Sequence, residues 1–207
     1  PKKTWSFWEK KDSHWNDFII KSWDKIVFKS QNVFIERNLS NMNYKMIKSE
    51  SFYNHIYDKV KRQPNIKLKK GIVIDIEDLN DRVIVKSKTQ TFIADKVLNS
   101  IPDESYKNNL KFPVLLQHFV GWTIKTNKPA FVEDIATLMD FSIDQKNETR
   151  FLYVLPTSKN EALVEFTLFS KDLLSNSEYE NEIKKYLKSL EIEDYKINLK
   201  ENGVIPM

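Results

Sequence analysis

A single acidic residue interrupts an apolar stretch in the second half of the chain. Glu165 is the only charged residue between Leu163 and Phe169. If this stretch is a strand, alternation places Leu163, Glu165, Thr167 and Phe169 on one face. A carboxyl group on an apolar face loses hydration, which raises its pKa and keeps it protonated near neutral pH. Such a group can donate a proton to a poor base. The alternative is that this face is solvated and that Glu165 is merely exposed.

Asp140 has a similar setting. It is an isolated charge in the run Leu138-Met139-Asp140-Phe141. Strand alternation predicts that it shares a face with Leu138 and Ser142. The same desolvation argument applies to this carboxyl group, and an exposed position on a solvated face is again the alternative.

Aromatic residues are concentrated near the start of the chain, in Trp5-Ser6-Phe7-Trp8. Such residues usually pack in a core or a hairpin. They could instead line a site for a flat ring or a cation, because the face of an indole ring attracts positive charge.

Glycine is scarce, with 3 in 207 residues. A dinucleotide-binding turn needs three glycines within six residues, and a P-loop needs two followed by Lys and Ser or Thr. The glycines stand at positions 71, 121 and 203. The chain therefore contains no complete nucleotide-binding fingerprint.

The remaining composition narrows the classes of site and partner. The absence of Cys excludes disulfides, Cys-based zinc sites, iron–sulfur clusters and thiol catalysis. The three His are far apart, so we expect no metal. The net charge of +4 comes from dispersed Lys, which argues against nucleic acid and allows mild attraction to an anionic membrane. No apolar run approaches the length of about 18 residues that a spanning helix needs.

The elements that must position these residues follow from hydrophobic periodicity. A helix is predicted to begin at Ser49 and to end before Pro64, and a second one to begin at a Ser175–Glu178 capping box. Extended runs are predicted at 72–77, 82–86, 91–94, 96–98, 115–126, 136–143, 150–155, 162–170 and 197–199. The four runs between 115 and 170 are typical of an antiparallel meander. A boundary is indicated at about 102–112. We therefore expect an α+β fold whose antiparallel sheet carries both acidic residues.

Six motifs occur in a fixed order along the chain. The Leu-x-Glu-x-Thr run at 163–167 and the Met-Asp-aromatic run at 139–141 are specific in combination. The others lie at 4–8, 44–52, 151–156 and 203–207. This series resembles the bacterial lycopene β-cyclase family of carotenoid biosynthesis, and the resemblance covers nearly the whole chain.

The resemblance implies a flavoprotein with the fold of aromatic hydroxylases and geranylgeranyl reductases. In that fold an FAD-binding Rossmann-like domain is interleaved with an antiparallel substrate-binding sheet. We accordingly expect residues 1–105 to be a partial FAD-binding domain lacking its Gly-rich turn. Residues 106–207 would form the substrate-binding sheet with one covering helix. The chain starts without Met and stops after an apolar Val-Ile-Pro, so we expect an internal fragment that is inactive alone.

The implied reaction is a redox-neutral cyclisation of lycopene and other linear carotenoids. A proton adds to the terminal double bond of the ψ-end, and the neighbouring double bond attacks the cation. Loss of a proton from C6 then leaves a β-ionone ring. The family uses reduced FAD with NAD(P)H as reductant. It also implies a cytoplasmic protein that is peripheral to the inner membrane.

The resemblance also implies roles for individual residues. Glu165 falls on the family's Leu-x-Glu-x-Thr glutamate and is expected to be the catalytic acid. Asp140 is expected to be a second acid or base. Other expected site residues are Trp5, Phe7, Trp8 and Tyr153 in the flavin–substrate pocket and Ser49, Val73 and Asn99 beside FAD.

Two other classes of function remain open at this point. The same flavoprotein fold could serve a monooxygenase or a prenyl-chain reductase. The chain could also be a non-catalytic module that binds a hydrophobic ligand independently of flavin.

Overall fold

A computed structural model describes residues 3–11, 15–101 and 114–207. The chain divides into two compact units, Pro1–Asn54 with Phe112–Met207, and His55–Lys111. In this division residues 1–54 cluster with the second half of the chain, and the expected domains stay a prediction. The expected boundaries at 105–106 and at 102–112 themselves lie outside the described residues.

The described residues form thirteen strands and two α-helices. Seven strands precede residue 90: β1 (Thr4–Lys10), β2 (Ile19–Trp23), β3 (Lys25–Lys29), β4 (Phe34–Asn38), β5 (Met42–Lys48), β6 (Val73–Asp78) and β7 (Val83–Ser87). Six follow it: β8 (Thr91–Ala94), β9 (Leu116–Thr126), β10 (Ile135–Asp140), β11 (Thr149–Ser158), β12 (Glu161–Ser170) and β13 (Tyr195–Pro206). The helices are α1 (Ser49–Lys61) and α2 (Asn176–Ser189).

The main sheet of the first unit has seven strands in the order β13-β9-β12-β11-β10-β3-β4. Strands β10, β11 and β12 form the predicted meander. Strand β9 does not continue it, because it lies between β12 and β13 and pairs with both along its length. On the other side, β10 pairs parallel with β3, which joins the first 54 residues to this sheet.

The two faces of the main sheet are covered by different elements. Helix α2 packs on one face through Tyr179, Ile183, Tyr186 and Leu187, which are all buried. The predicted capping box is confirmed, since the Ser175 N–H donates to Glu178 at 2.8 Å. A three-stranded sheet in the order β1-β5-β2 contributes Trp23, Tyr44 and Met46 to the core on the opposite face.

A buried histidine links helix α2 to the sheet. His118 of β9 is fully buried, with Nε2 at 2.8 Å from Ser170 Oγ and Nδ1 at 2.5 Å from the Tyr179 hydroxyl. Burial lowers the pKa of His118. The imidazole is therefore a neutral hydrogen-bonding link within the core.

The second unit contains a three-stranded antiparallel sheet in the order β6-β7-β8. The predicted hairpin around Asn80 and Asp81 is confirmed by the pairing of β6 with β7. Asn80 has a φ of 69°, a left-handed conformation that Asn tolerates in turns. Residues 96–98 are not a strand, contrary to the prediction.

Candidate active site

Glu165 lies at the centre of the main sheet. Its Cα partner on β11 is Tyr153, and its partner on β9 is Gly121. On the next strand, β13, Glu201 is the partner of Gly121. Paired residues point to the same face of a sheet. Tyr153, Glu165, Gly121 and Glu201 therefore form a row across four adjacent strands, on the face opposite helix α2.

Gly121 leaves an open space between the two glutamate side chains of this row. A Cβ atom at this position would lie 3.0 Å from Leu163 Cδ1, 3.3 Å from Glu201 Cγ and 3.4 Å from Glu165 Cβ. The two glutamate side chains thus lie against the glycine from either side. Any larger residue would push at least one of them away.

A pocket of about 160 Å³ opens over this row. Both glutamates reach it. The other lining residues are Tyr44 and Tyr153, the apolar side chains of Phe119, Leu155 and Leu163, and Thr4, Ser6 and Gln117. A second cavity of about 410 Å³ shares Thr4 and Leu163 with it. The two spaces therefore meet at these residues.

The environment of Glu165 favours its protonated form. Burial raises the pKa of Glu165 to about 8. The Thr167 hydroxyl, which donates to Oε1 at 3.1 Å, opposes this rise, and the charge of Glu201 adds to it. Among the residues that the structure describes, no Lys or Arg lies within 4.0 Å of either glutamate. Glu165 is therefore a carboxylic acid at neutral pH.

Glu201 is buried and held by strand β1. Its Oε2 accepts a hydrogen bond from the Thr4 N–H at 2.9 Å, and its Oε1 accepts one from the Thr4 hydroxyl at 2.8 Å. The sequence analysis missed this residue. Lys200 and Asn202 flank Glu201, so no apolar context marks it. Only the position of β13 beside β9 brings it to the pocket.

The two tyrosines of the pocket keep their hydroxyl protons. Burial raises the pKa of Tyr44 well above its ordinary range. Burial, together with the charge of Glu165, raises the pKa of Tyr153 to about 12. The structure thus brings Tyr153, a predicted pocket residue, directly beside Glu165.

Asp140 lies on the opposite face of the sheet. A bulge between Thr137 and Asp140 shifts the register of β10 against β11, so that Asp140 is opposite Leu152 in the core beneath α2. The prediction that Asp140 shares a face with Leu138 is therefore wrong. The sequence gives no sign of the extra residue that breaks the alternation.

The partners of Asp140 form a closed polar cluster. Lys29 Nζ lies 2.8 Å from its carboxylate, the Tyr186 hydroxyl donates at 2.5 Å, and the Ser142 hydroxyl donates at 2.6 Å. Burial raises the pKa of Asp140, but these hydrogen bonds outweigh it and the net shift is downward. Asp140 is an ionised, fully buried residue that is not brought to Glu165.

The full length of the chain matches one known protein family. A family profile described as "Lycopene cyclase protein" matches residues 1–207. The chain belongs to the lycopene cyclase family. This confirms the resemblance drawn from the motifs. A search of curated proteins finds no match to this lycopene cyclase family member.

Solved structures share the fold at low sequence identity. A geranylgeranyl bacteriochlorophyll reductase-like protein from Thermoplasma acidophilum aligns with a TM-score of 0.63 and 10% identity, over 96% of this chain and 55% of that chain. The halogenase PltM aligns with a TM-score of 0.59 and 12% identity, over 91% and 44%. A flavoprotein/dehydrogenase from Cytophaga hutchinsonii aligns at 0.53 and 12%, over 89% and 51%. The cyclase family member thus spans about half the length of these proteins and has their α+β flavoprotein fold.

The N-terminal aromatic residues of this lycopene cyclase family member do not line the pocket. Trp5 packs edge-on against Phe52 of α1, with ring centroids 5.3 Å apart. The Trp8 ring lies 5.0 Å from the Tyr44 ring. Phe7 pairs with Lys45 on β5. Because side chains alternate along β1, Trp5 and Phe7 point away from Thr4 and Ser6, which line the pocket. Trp8 shares the face of Thr4 and Ser6 but contacts only the outer residue Tyr44 of the lining.

The three residues expected to contact FAD lie in different elements of the chain. Ser49 is buried at the start of α1, where its hydroxyl accepts a hydrogen bond from the Lys3 N–H at 3.1 Å. Val73 begins β6 in the second unit. Asn99 accepts a hydrogen bond from the Ile101 N–H at 2.9 Å. Their contact with FAD stays a prediction.

The described residues of this lycopene cyclase family member include no helix that could span a membrane. Neither α1 nor α2 has the length and apolar character needed to cross a bilayer.

Proposed function

We propose that this chain contributes the substrate-binding sheet and the acid of a lycopene β-cyclase. The enzyme converts the ψ-ends of lycopene into β-ionone rings and thereby forms γ- and β-carotene without net oxidation or reduction. The observation that carries the proposal is Glu165, a carboxyl group whose burial raises its pKa to about 8 and which lines a pocket with no cation beside it among the described residues.

The first step uses the proton of Glu165. An alkene is a very weak base, so its protonation needs an acid that is neutral at working pH and aimed at the double bond. Protonation leaves a tertiary carbocation, which the neighbouring double bond attacks. The rings of Tyr44 and Tyr153 face the same pocket and can stabilise this cation through their π faces.

The size of the pocket suits the end of a hydrocarbon chain. A cavity of about 150 Å³ is large enough for a benzene ring, and the pocket over Glu165, which has both polar and apolar walls, is about 160 Å³. It has room for one ring. The larger cavity of about 410 Å³ that meets it at Thr4 and Leu163 leaves space for the next part of the polyene.

FAD belongs to the proposal on the strength of the family and the fold. One PltM structure is a complex with phloroglucinol and FAD, at a TM-score of 0.57 and 11% identity. We propose reduced FAD as the cofactor and NAD(P)H as its reductant. The 3 glycines of this chain do not make the turn that binds a pyrophosphate. The 207 residues of this chain therefore do not form a complete FAD site, and we assign no step of the reaction to flavin.

We also propose peripheral association with the cytoplasmic face of the inner membrane, because lycopene is a hydrocarbon that partitions into lipid. The dispersed basic residues, with a net charge of +4, would favour contact with an anionic surface.

The proposal is tested with Glu165→Gln in the full-length protein, given lycopene in vesicles, FAD and NADPH without oxygen. We expect no cyclic product, while the absorbance of bound flavin is unchanged. Glu178→Gln is the matched control, because Glu178 is an exposed carboxylate on α2, and it should cyclise lycopene at the parental rate. Ring formation by Glu165→Gln at the parental rate would remove Glu165 from the mechanism.

Product mass separates the competing functions. Cyclisation leaves the mass of lycopene unchanged, a prenyl reductase adds two hydrogens, and a monooxygenase adds one oxygen and requires O₂. The fold likeness to a reductase-like protein makes the reductase the second candidate. A non-catalytic carrier would bind lycopene unchanged and without flavin.

A further inference from the structure

Ring closure requires a proton to leave as well as a proton to arrive. We infer that Glu201 is the base that removes the ring proton, and that the proton then returns from Glu201 to Glu165 across Gly121. This inference rests on the proposed function and adds to it a second catalytic residue and the control of ring type.

The position of Glu201 is the first argument. Glu165 and Glu201 are both partners of Gly121 in the sheet register, and both line the same pocket. The glycine leaves no side chain between them, because an added Cβ would lie 3.3 Å from Glu201 Cγ and 3.4 Å from Glu165 Cβ. A substrate end in this pocket therefore has a carboxyl group on each side of the gap.

The hydrogen bonds of the two glutamates are the second argument. Both oxygens of Glu201 accept from Thr4, whereas Glu165 accepts one hydrogen bond from the described residues, from the Thr167 hydroxyl. A carboxyl group that only accepts hydrogen bonds is held in the form that can take up a proton. No cation of the described residues lies within 4.0 Å to neutralise it.

The proton balance closes within the pair. The O–H bond of Glu165 breaks and a C–H bond forms at the terminal double bond. The π electrons of the neighbouring double bond form the ring bond and leave a cation at C5. The C6–H bond then breaks, its electrons form the C5=C6 double bond, and the proton goes to the Glu201 carboxylate. Transfer of that proton to Glu165 restores the pair, and no electrons are gained or lost.

The location of the base determines the ring type. Loss of the C6 proton gives a β ring, loss from C4 gives an ε ring, and loss from the methyl group on C5 gives a γ ring. A carboxylate held by two hydrogen bonds reaches only one of these protons well. Without the Glu201 carboxylate, other bases, including water, should remove the protons on C4 and on the C5 methyl group as well.

The test compares Glu201→Gln, Glu201→Asp and Thr4→Val in the full-length flavoprotein, with lycopene as substrate and ring type measured by chromatography and NMR. We expect Glu201→Gln to lower turnover by about 100-fold or more and to shift the remaining product from β rings to ε and γ rings. Thr4→Val keeps the backbone hydrogen bond to Glu201 and should produce only β rings at a moderately reduced rate.

A purely structural role of Glu201 predicts a different result. It would lower the melting temperature and the yield of the variants without changing ring type. If Glu201→Gln gives no product, the ring types made by Glu201→Asp distinguish the two roles. The Asp side chain keeps the carboxylate but is shorter by one methylene group. An increase in ε and γ rings supports the inference. Exclusive β rings from Glu201→Asp, or from Glu201→Gln at near-parental turnover, overturn it. Failure of the parent enzyme to cyclise lycopene would instead refute the proposed function.

Discussion

Glu165→Gln should make the protein more stable, and the gain should grow with pH. The folded state keeps a proton on Glu165 up to a pKa of about 8, whereas the ordinary value is 4.5. Between these values the unfolded chain releases a proton that the folded chain retains. The free energy of unfolding therefore falls by about 1.4 kcal/mol for each pH unit across this window. Gln has the same shape and does not titrate, so it removes this loss.

The measurement is urea unfolding of the full-length protein and the variant at pH 5, 6 and 7, followed by tryptophan fluorescence. The stability difference should increase by about 1.4 kcal/mol at each step. Glu178→Gln serves as a control, because the charge of Glu178 affects the free energy of unfolding in the opposite direction. Hydrogen bonds from the Ser175 N–H and hydroxyl lower the pKa of Glu178. Its carboxylate therefore stabilises the fold above its ordinary pKa, and that contribution is lost as the pH falls. A difference for Glu165→Gln that stays constant from pH 5 to 7 would show that Glu165 is ionised and cannot be the acid.

Four further outcomes follow from the same structure. Cyclisation by the full-length enzyme should fall about tenfold per pH unit above pH 8, as Glu165 loses its proton; a flat rate from pH 7 to 10 would contradict this. Gly121→Ala should cost about 1–3 kcal/mol in urea unfolding and should lower kcat strongly, because its Cβ would press on Leu163 and Glu201 and would fill the gap between the two glutamates; unchanged kcat would refute the role of this gap. Asp140→Asn should lower stability by about 2–3 kcal/mol, since the hydrogen bonds of Lys29 and Tyr186 are weakened; loss of kcat without loss of stability would restore Asp140 as a catalytic candidate. The isolated 207-residue chain should bind less than one FAD per molecule and should not cyclise lycopene, and a stoichiometric flavin spectrum would contradict the first of these.

Local patterns in the sequence predicted what depends on local structure. Glu165 was predictable because β12 pairs with both of its neighbours without a bulge at this position, so alternation assigned its face correctly. Helix α2 was predictable from its capping box and apolar face. Asp140 was placed on the wrong face because one extra residue in β10 reverses the alternation.

Features that depend on distant strands were not predictable. The position of β9 between β12 and β13 follows from pairings that no short pattern encodes. For that reason Glu201 could not be recognised beside Glu165. The exclusion of Trp5 and Phe7 from the pocket is an intermediate case. Alternation along β1 separates them from Thr4 and Ser6, but only the packing of Trp5 on α1 shows which face is outward.

The hydrogen bonds between Thr4 and Glu201 have a consequence for the order of events during synthesis. These residues are 197 positions apart in the chain. At a translation rate of about 5–20 residues per second, the second appears on the order of 10–40 seconds after the first. Contacts of such high sequence separation also form slowly. The aromatic strand β1 therefore leaves the ribosome long before its partner on β13 exists, and the hydrogen bonds that hold Glu201 form only after β13 has been made.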